Sequence, residues 1–138
     1  MSKLHVTQIS GYLLAKLTGI VDMADYASHS DPAQIQKAFL ARALTALAIS
    51  NLTEAKLEGL APSITDGASD GGVDGIYFDP NERILYLVQA KWHEDGNGSI
   101  ELGDALKFLD GVAKVLNNEL SGLNARINAR QGDIQSAL

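Results

Sequence analysis

Asp74, Gln89 and Lys91 are the residues of this chain whose types and spacing suit the hydrolysis of a phosphodiester. Asp74 comes directly before the apolar segment GIYF, and Gln89 and Lys91 close the segment ILYLVQAK. Because alternate residues of a strand share a face, Gln89 and Lys91 project to the same side while Ala90 points away. If the two segments pair as a hairpin, one carboxylate, one amide and one ammonium meet at its end.

The two segments are predicted to be strands over residues 73–79 and 84–91. The intervening DPNE supplies a turn, and a turn centred on its Pro-Asn pair places Asp74 opposite residues 87–89. The other strand positions are apolar on both faces, which is typical of strands that are buried on both sides. Polar groups at the end of a buried hairpin need partners because unpaired burial is costly, and a metal ion would satisfy all three.

A hard divalent cation held by oxygen ligands supplies most of what phosphodiester hydrolysis needs, so Mg²⁺ or Mn²⁺ is the expected cofactor. Asp74 is the expected anionic ligand, the amide oxygen of Gln89 a neutral ligand, and the backbone carbonyl of Ala90 a third. Lys91 is expected beside the attacking water, where it orients the water or offsets charge on the phosphate.

An amide in place of a second acid weakens metal binding, so a further carboxylate is expected. The predicted helix over residues 33–50 contains no acid. The nearest candidates are Glu54 and Glu58, in a short predicted helix that starts at Thr53. Glu58 is therefore included among the expected metal ligands.

Other polar residues near the motif each have a functional and a structural interpretation. Asp70 is either a ligand, directly or through a neighbour, or a residue that holds a turn among glycines, and Asp66 ranks below it. His93 either contacts phosphate or is an exposed loop residue. Trp92 either stacks on a base or belongs to the core. The sequence leaves these alternatives open.

The spacing D-x14-Q-x-K, from Asp74 to Lys91, resembles the metal-binding core of the PD-(D/E)xK nuclease superfamily, and the Q-x-K form is typical of its Mrr-like branch. The segments ITDGASDGGVDGIYFD and LYLVQAKW more specifically resemble the N-terminal domain of the AIPR abortive-phage-infection proteins, over roughly residues 35–115 and most strongly over 64–92. The resemblance implies a restriction-endonuclease-like core and a Mg²⁺-dependent endonuclease, acting on DNA, in a bacterial anti-phage or restriction-type defence system. Family members often take a further acid from the helix before the first strand, and the helix over 33–50 lacks it.

Composition sets broad limits on function. The 138 residues, 46% of them hydrophobic and 20% charged, suit one domain with a core. The formal net charge of −6 argues against a protein that coats nucleic acid by electrostatics alone. The absence of cysteine excludes disulfides and thiolate zinc sites. Without a signal peptide or a membrane-length apolar run, a cytoplasmic protein with no membrane partner is expected.

The predicted elements are helices, then two strands, then helices. They are a helix over 4–18, a helix over 33–50 that begins at Ser30-Asp31-Pro32, the hairpin, a helix over 100–117, and a last helix capped by Ser121. This α/β arrangement, a small mixed sheet around a hairpin flanked by helices, is interpreted as one nuclease-like domain over residues 1–138. The chain is expected to be the N-terminal fragment of a longer protein.

Two other functions stay open at this point. In the first, the site is degenerate and the domain binds nucleic acid or a protein partner without catalysis. In the second, the domain oligomerises, for example as a homodimer, through the apolar stripes of the helices over 100–138, one of which recurs at three- and four-residue spacing over 100–117. The members of this stripe are Leu102, Ala105, Leu106, Leu109, Val112, Ala113 and Leu116. The sequence does not decide between packing within the chain and packing between chains.

Overall fold

The computed structural model describes residues 2–138, which form a mixed α/β fold of five α-helices and one antiparallel β-hairpin. The helices are α1 (Lys3–Leu17), α2 (Pro32–Leu52), α3 (Leu102–Leu116), α4 (Ala125–Asn128) and α5 (Gln131–Ala137), and the strands are β1 (Gly75–Asp79) and β2 (Ile84–Val88). Short 3₁₀ turns lie at Ala24–Tyr26, Leu57–Gly59 and Ala61–Ser63. The predicted α/β class, with a hairpin flanked by helices, is confirmed, but the predicted small mixed sheet is not, because the described residues contain only a two-stranded antiparallel sheet. Within residues 2–138, every helix is too short or too polar to cross a membrane.

Helix α2 begins where the sequence predicts and runs slightly longer. Asp31 is its N-cap, because the carboxylate accepts from the backbone amide two residues later at 3.0 Å, and Pro32 occupies the first helical position. Thr53, predicted to start another helix, instead ends α2, and its hydroxyl donates to the carbonyl four residues earlier at 2.8 Å. The helix predicted to follow is only the 3₁₀ turn Leu57–Gly59.

The last predicted helix is divided into α4 and α5, and the prediction that Ser121 caps it was wrong. Asn124 is the N-cap of α4, where its side-chain oxygen accepts from the Ile127 amide at 2.9 Å. The side-chain nitrogen of Asn124 also donates to the carbonyl of Thr65 at 2.9 Å. This long-range bond ties the C-terminal helices to the chain before β1, and it is not visible in the local sequence.

The hairpin lies between two hydrophobic clusters. Gly75 pairs with Val88 and Ile76 pairs with Leu87 across the two strands. Val88 and Tyr77 pack on the cluster built mainly by α1 and α2. Ile76 and Leu87, on the other face, pack with a second cluster formed by Val115, Leu120, Ile127 and Ile134. Helix α2 therefore packs against the hairpin on one face and the C-terminal helix α5 on the other.

Strand β2 is less buried than the sequence predicts. Ile84 is exposed and the rest of β2 is half-buried, whereas Gly75, Ile76 and Asp79 of β1 are buried. A single further bridge joins Gly75 to Ile64, and β2 pairs only with β1 among residues 2–138. Because β2 is an edge of this small sheet, its apolar composition on both faces did not translate into full burial.

Gly75 is required by the close packing of β1 on α2. A Cβ atom at this position would lie 2.5 Å from Cγ2 of the buried Thr45, which is closer than side-chain atoms pack. The glycine therefore sets the distance between α2 and the strand that follows the motif carboxylate.

Helix α3 packs closely against the loop before β1, because glycines lie at the contact both in the helix and in the loop. A Cβ atom at Gly72 would lie 2.9 Å from the backbone nitrogen of Phe108, and one at Gly111 would overlap the carbonyl oxygen of Gly71. This close approach buries the Gly111 face of α3 and leaves the apolar stripe on the other side. The leucines of the stripe are all exposed: Leu102, Leu106, Leu109 and Leu116. In the part of the chain that the structure describes, these leucines do not pack into a core.

We expect Gly75→Ala to lower the free energy of unfolding by about 1–3 kcal/mol, because the added methyl group displaces Thr45 or the strand. Gly11→Ala is the control, since a Cβ at this exposed position of α1 meets nothing within 4 Å. It should raise the free energy of unfolding by up to about 1 kcal/mol through helix propensity. Urea denaturation measures both. A Gly75→Ala variant as stable as the wild type would contradict the close packing.

Candidate metal centre

The loop of residues 66–74 closes on itself just before β1. The backbone amides of Thr65 and Asp66 both donate to the carbonyl of Asp74, at 2.8 and 3.1 Å. The hydroxyl of Thr65 donates to the carbonyl of Val73 at 2.7 Å. These bonds hold the two ends of the loop side by side, with one aspartate at each end.

Asp66, Asp70 and Asp74 form an acidic cluster. Each offers one carboxylate oxygen, and the three oxygens lie within 4.8 Å of one another. The motif identified Asp74, but the sequence interpretation ranked Asp70 and Asp66 below it as turn residues. The available signal was the regular D-x3-D-x3-D spacing. In a helix this spacing would place the three aspartates on one face, whereas here the closed, glycine-rich loop brings them together.

Asp70 holds the turn and also belongs to the cluster. Its Oδ1 accepts from the Gly72 amide at 2.7 Å, and its Oδ2 accepts from the Gly67 amide at 3.2 Å. The ammonium of Lys107, from α3, lies 3.5 Å from the same Oδ1. The structural and functional interpretations of Asp70 are therefore compatible, because the amides fix the position of a carboxylate that lies beside two others.

Asp66 is held in the cluster by the buried guanidinium of Arg42, in α2. Nε of Arg42 donates to Asp66 at 2.7 Å, and its two Nη atoms donate to Asp25 at 2.7 and 2.6 Å. Burial acts to lower the pKa of Arg42, but the hydrogen bonds to both carboxylates outweigh it and raise that pKa. Hydrogen bonding to the side chain of Arg42 lowers the pKa of Asp25. Arg42 therefore stays charged and fixes Asp66 in place.

Asp74 is a buried member of the cluster. Its Oδ2 accepts from the Ala90 amide at 2.8 Å, and its backbone amide donates across the hairpin to β2 at 2.8 Å, as the predicted register requires. Burial, together with the negative charges of Asp66 and Asp70, raises the pKa of Asp74 to about 7, against the opposing effect of the Ala90 amide. Near neutral pH this carboxyl group therefore exchanges between its protonated and ionised forms.

Gln89 and Lys91 line the same cleft as Asp74, a space of about 310 Å³. Nε2 of Gln89 donates to the backbone carbonyls of Gly72 and Asp104, both at 3.2 Å, so the amide oxygen is the atom left to accept or ligate. The ammonium of Lys91 lies 3.4 Å from Oδ1 of Asp104. The hairpin thus brings the three motif residues to one cleft.

The remaining wall of the cleft mixes basic and aromatic residues. Lys37 from α2 and Lys107 from α3 line it, together with Trp92 and His93. Trp92 is buried in the core, in agreement with its structural interpretation. The ring of His93 packs against Gly98, where a Cβ atom would overlap it.

The two glutamates predicted to complete the site lie elsewhere. Glu58 is an exposed residue of a 3₁₀ turn, with Oε1 3.9 Å from the ammonium of Lys16 in α1. Glu54 lines a separate cleft. The prediction of Glu58 as a ligand was wrong because it assumed a helix that the chain does not form. The carboxylates that lie beside Asp74 are instead those of Asp66 and Asp70, in the loop.

The donor set suits a hard divalent cation. Carboxylate, amide and carbonyl oxygens are the ligands that Mg²⁺ and Mn²⁺ prefer. Carboxylates this close to one another repel unless a proton or a cation lies between them. The chemistry of the cluster therefore fits the cofactor that the sequence predicts.

Comparisons with protein-family models, with curated proteins and with solved structures found no match to this chain. Membership of the PD-(D/E)xK superfamily and a restriction-endonuclease core therefore stay predictions from the motif. Inference about function depends on the geometry of the site.

We expect the metal-free protein to lose stability as the pH rises, because the pKa of Asp74 is about 7 in the folded state against 3.8 for the ordinary carboxyl. The folded state holds this proton more tightly, so the stabilisation is complete below the unfolded pKa and is lost as the pH rises through the folded one. The loss over this range is about 4 kcal/mol. Urea denaturation in EDTA across the same pH range measures it.

Asp74→Asn should remove this slope while it keeps an oxygen that accepts from the Ala90 amide. Asp110→Asn, at an exposed carboxylate of α3, is the control and should retain it. An unchanged slope in Asp74→Asn would show that another group is responsible.

Proposed function

We propose that this chain is a Mg²⁺- or Mn²⁺-dependent nuclease domain that hydrolyses the phosphodiester bonds of DNA. The observation that carries the proposal is the acidic cluster in the same cleft as Gln89 and Lys91. Metal-assisted phosphodiester hydrolysis needs oxygen ligands for a divalent cation and a nearby cationic donor for the water or the phosphate. This cleft contains both.

The cation would be held by the carboxylates of Asp66, Asp70 and Asp74, with the amide oxygen of Gln89 and the carbonyl oxygen of Ala90 as neutral ligands. Backbone amides and a buried guanidinium already fix the three carboxylates. Because these side chains do not have to be gathered when the ion binds, little conformational entropy is lost. Such pre-organisation supports binding of an ion by a site with one amide in place of an acid.

When bound, the cation supplies charge neutralisation at the phosphate and makes a water molecule a stronger nucleophile. Lys91 is half exposed and, within residues 2–138, is paired only with Asp104, a partly exposed carboxylate of the same cleft, so its ammonium would be available to donate to that water or to a phosphate oxygen. Asp74 would give up its proton when the ion binds, because a divalent cation is held by the ionised carboxylate. A pKa of about 7 makes this exchange accessible at neutral pH.

Three lysines from three parts of the chain line the cleft around the acidic cluster: Lys37, Lys91 and Lys107. Their ammonium groups suit the phosphates of a nucleic-acid backbone. The same lining carries four aspartates, at positions 66, 70, 74 and 104, so these lysines would give the cleft a net positive charge only with a divalent cation bound. The choice of DNA, and a role in bacterial anti-phage or restriction-type defence, come from the motif resemblance.

A binding module without catalysis is the second candidate function. The observation that favours it is that two motif residues already have structural partners. The amide of Gln89 ties β2 to α3, and Lys91 pairs with Asp104 of α3. In such a module the cleft would recognise nucleic-acid phosphates or a protein partner.

We expect Mn²⁺ at about a hundredfold excess over its Kd to raise the free energy of unfolding by about 2.7 kcal/mol. Asp74→Asn should lose most of this stabilisation because it removes the buried anionic ligand. Glu58→Gln should keep it, because Glu58 lies outside the cleft. Urea denaturation at about pH 8, with and without Mn²⁺, measures both variants. Equal stabilisation of Asp74→Asn and the wild type would place the ion elsewhere.

We expect Lys91→Met to slow DNA cleavage by on the order of 10²-fold, with stabilisation by Mn²⁺ unchanged, because this lysine acts on water or phosphate rather than on the ion. Lys114→Met is the matched control, since Lys114 pairs with Asp110 on α3 and does not line the cleft. Nicking of supercoiled plasmid and cutting of single-stranded DNA in Mg²⁺ measure the rates. Full activity of Lys91→Met would refute its catalytic role, and stabilisation by metal without any cleavage would favour the binding module.

A further inference from the structure

A smaller space adjoins the metal cleft, between α1, the start of α2 and the segment after β2. It has a volume of about 250 Å³. Its apolar side is formed by the buried residues Val6, Leu40 and Trp92, and its polar side includes the side chains of Gln36 and Glu94. We call this space the side pocket. Because the three motif residues do not line it, the side pocket is separate from the metal centre.

The side pocket and the metal cleft share part of their walls. Lys37 of α2 and Trp92 line both spaces. The acidic cluster lines the cleft, so the side pocket lies beside the cluster, across Lys37 and Trp92. A nucleotide whose phosphate occupies the cleft can therefore reach the side pocket with its base.

The walls of the side pocket suit the two chemically different parts of a nucleobase. The faces of a base are apolar enough to lie against Val6 and Leu40, whereas its edge carries hydrogen-bond donors and acceptors. The amide of Gln36 offers two donors and an acceptor, and the carboxylate of Glu94 offers acceptors. Both of these side chains are exposed, so they are accessible to the edge of a bound ring.

Electrostatic attraction alone would hold nucleic acid weakly on this protein. The net charge is −6, and the three lysines of the cleft face four aspartates in the same lining. Contacts to phosphates supply most of the affinity of proteins that bind nucleic acid without regard to sequence. With that contribution small, binding has to draw on contacts to the bases as well.

We propose that the side pocket binds one unpaired base of the strand whose phosphate lies in the metal cleft, and that this domain acts preferentially on single-stranded DNA. In a duplex each base is stacked between neighbours and paired along its edge, so it enters a pocket only after both contacts are broken. A single strand has no pairing to break. The inference rests on the proposed nuclease function, because it requires a DNA phosphate in the cleft.

Fluorescence anisotropy of a short labelled DNA strand, alone or annealed to its complement, tests the preference. The titrations are made in Ca²⁺, which also binds oxygen ligands, and a gel checks that the DNA is intact afterwards. We expect the single strand to bind at least about tenfold more tightly than the duplex. Equal or tighter binding of the duplex would overturn the proposal.

Ala33→Phe tests whether the side pocket is the source of the preference. Ala33 is exposed in the first turn of α2 and lines the side pocket but not the cleft, so the larger side chain fills the pocket without changing a metal ligand. We expect single-strand binding to weaken about tenfold, with duplex binding and stabilisation by Mn²⁺ unchanged. Ala15→Phe, at an exposed position of α1 outside both spaces, is the matched control and should bind like the wild type.

Stabilisation by Mn²⁺ shows whether Ala33→Phe keeps its fold. If it does not, Gln36→Ala takes its place, with Gln34→Ala, an exposed residue of α2 outside the side pocket, as the control. Gln36→Ala should weaken single-strand binding about threefold and leave duplex binding unchanged. A pocket variant that binds the single strand like the wild type, or that weakens both forms of DNA equally, would overturn the proposal.

Failure of this inference is distinct from failure of the proposed function. A protein that binds and cleaves both forms of DNA equally is still a nuclease but does not use the side pocket for a base. A protein that binds the single strand selectively and cleaves neither form is a binding module in which the side pocket is retained. A protein that binds neither form contradicts both proposals.

Discussion

The buried guanidinium of Arg42 is the constraint on which the rest of the site depends. Arg42 has no exposed surface, and a buried charge is tolerated only when its partners neutralise it. Its partners come from separate parts of the chain: Asp25 in the first 3₁₀ turn, Asp66 in the loop before β1, and the carbonyl of Asp22 at 2.8 Å. Arg126 of α4 joins the same group through Asp25 at 3.3 Å. Helix α2 therefore fixes the loop and the C-terminal helices around one charge, and removal of a partner would leave part of that buried charge uncompensated.

This anchoring holds three carboxylates together with only part of their charge compensated, by Arg42 at Asp66 and by the exposed ammonium of Lys107, which lies 3.5 Å from Asp70. Arg42 is shared with Asp25, and Asp70 is held mainly by backbone amides. Asp74 is buried, and its carboxylate accepts a hydrogen bond from the Ala90 amide. Burial of Asp74, together with the negative charges of Asp66 and Asp70, raises its pKa, and either a proton on Asp74 or a bound ion would offset this cost. Buried carboxylates that repel one another and have a shifted pKa are frequent at functional sites, where they lower the stability of the fold.

Local patterns predicted the hairpin and the convergence of Asp74 with the Gln-x-Lys pair, because strand alternation and a short turn fix the register within a few residues. They did not predict the acids that accompany Asp74. Glu58 was expected from a continuous helix, whereas the observed cluster depends on backbone bonds within a closed loop and on a guanidinium from a distant helix, which no periodicity encodes. The amphipathic character of α3 was also evident from the sequence. Which of its faces is buried depends on the meeting of Gly71 with Gly111, which is a tertiary contact.

Helix α3 lines the cleft through Asp104 and Lys107 on its inner side, while its outer side carries the exposed leucines. The central claim, however, concerns the ion. Anomalous diffraction from crystals soaked in Mn²⁺ tests it most directly. The account predicts one strong manganese peak within about 2.5 Å of carboxylate oxygens of Asp66, Asp70 and Asp74. A map in which manganese marks only exposed surface carboxylates, and leaves this cluster without a peak, would contradict it.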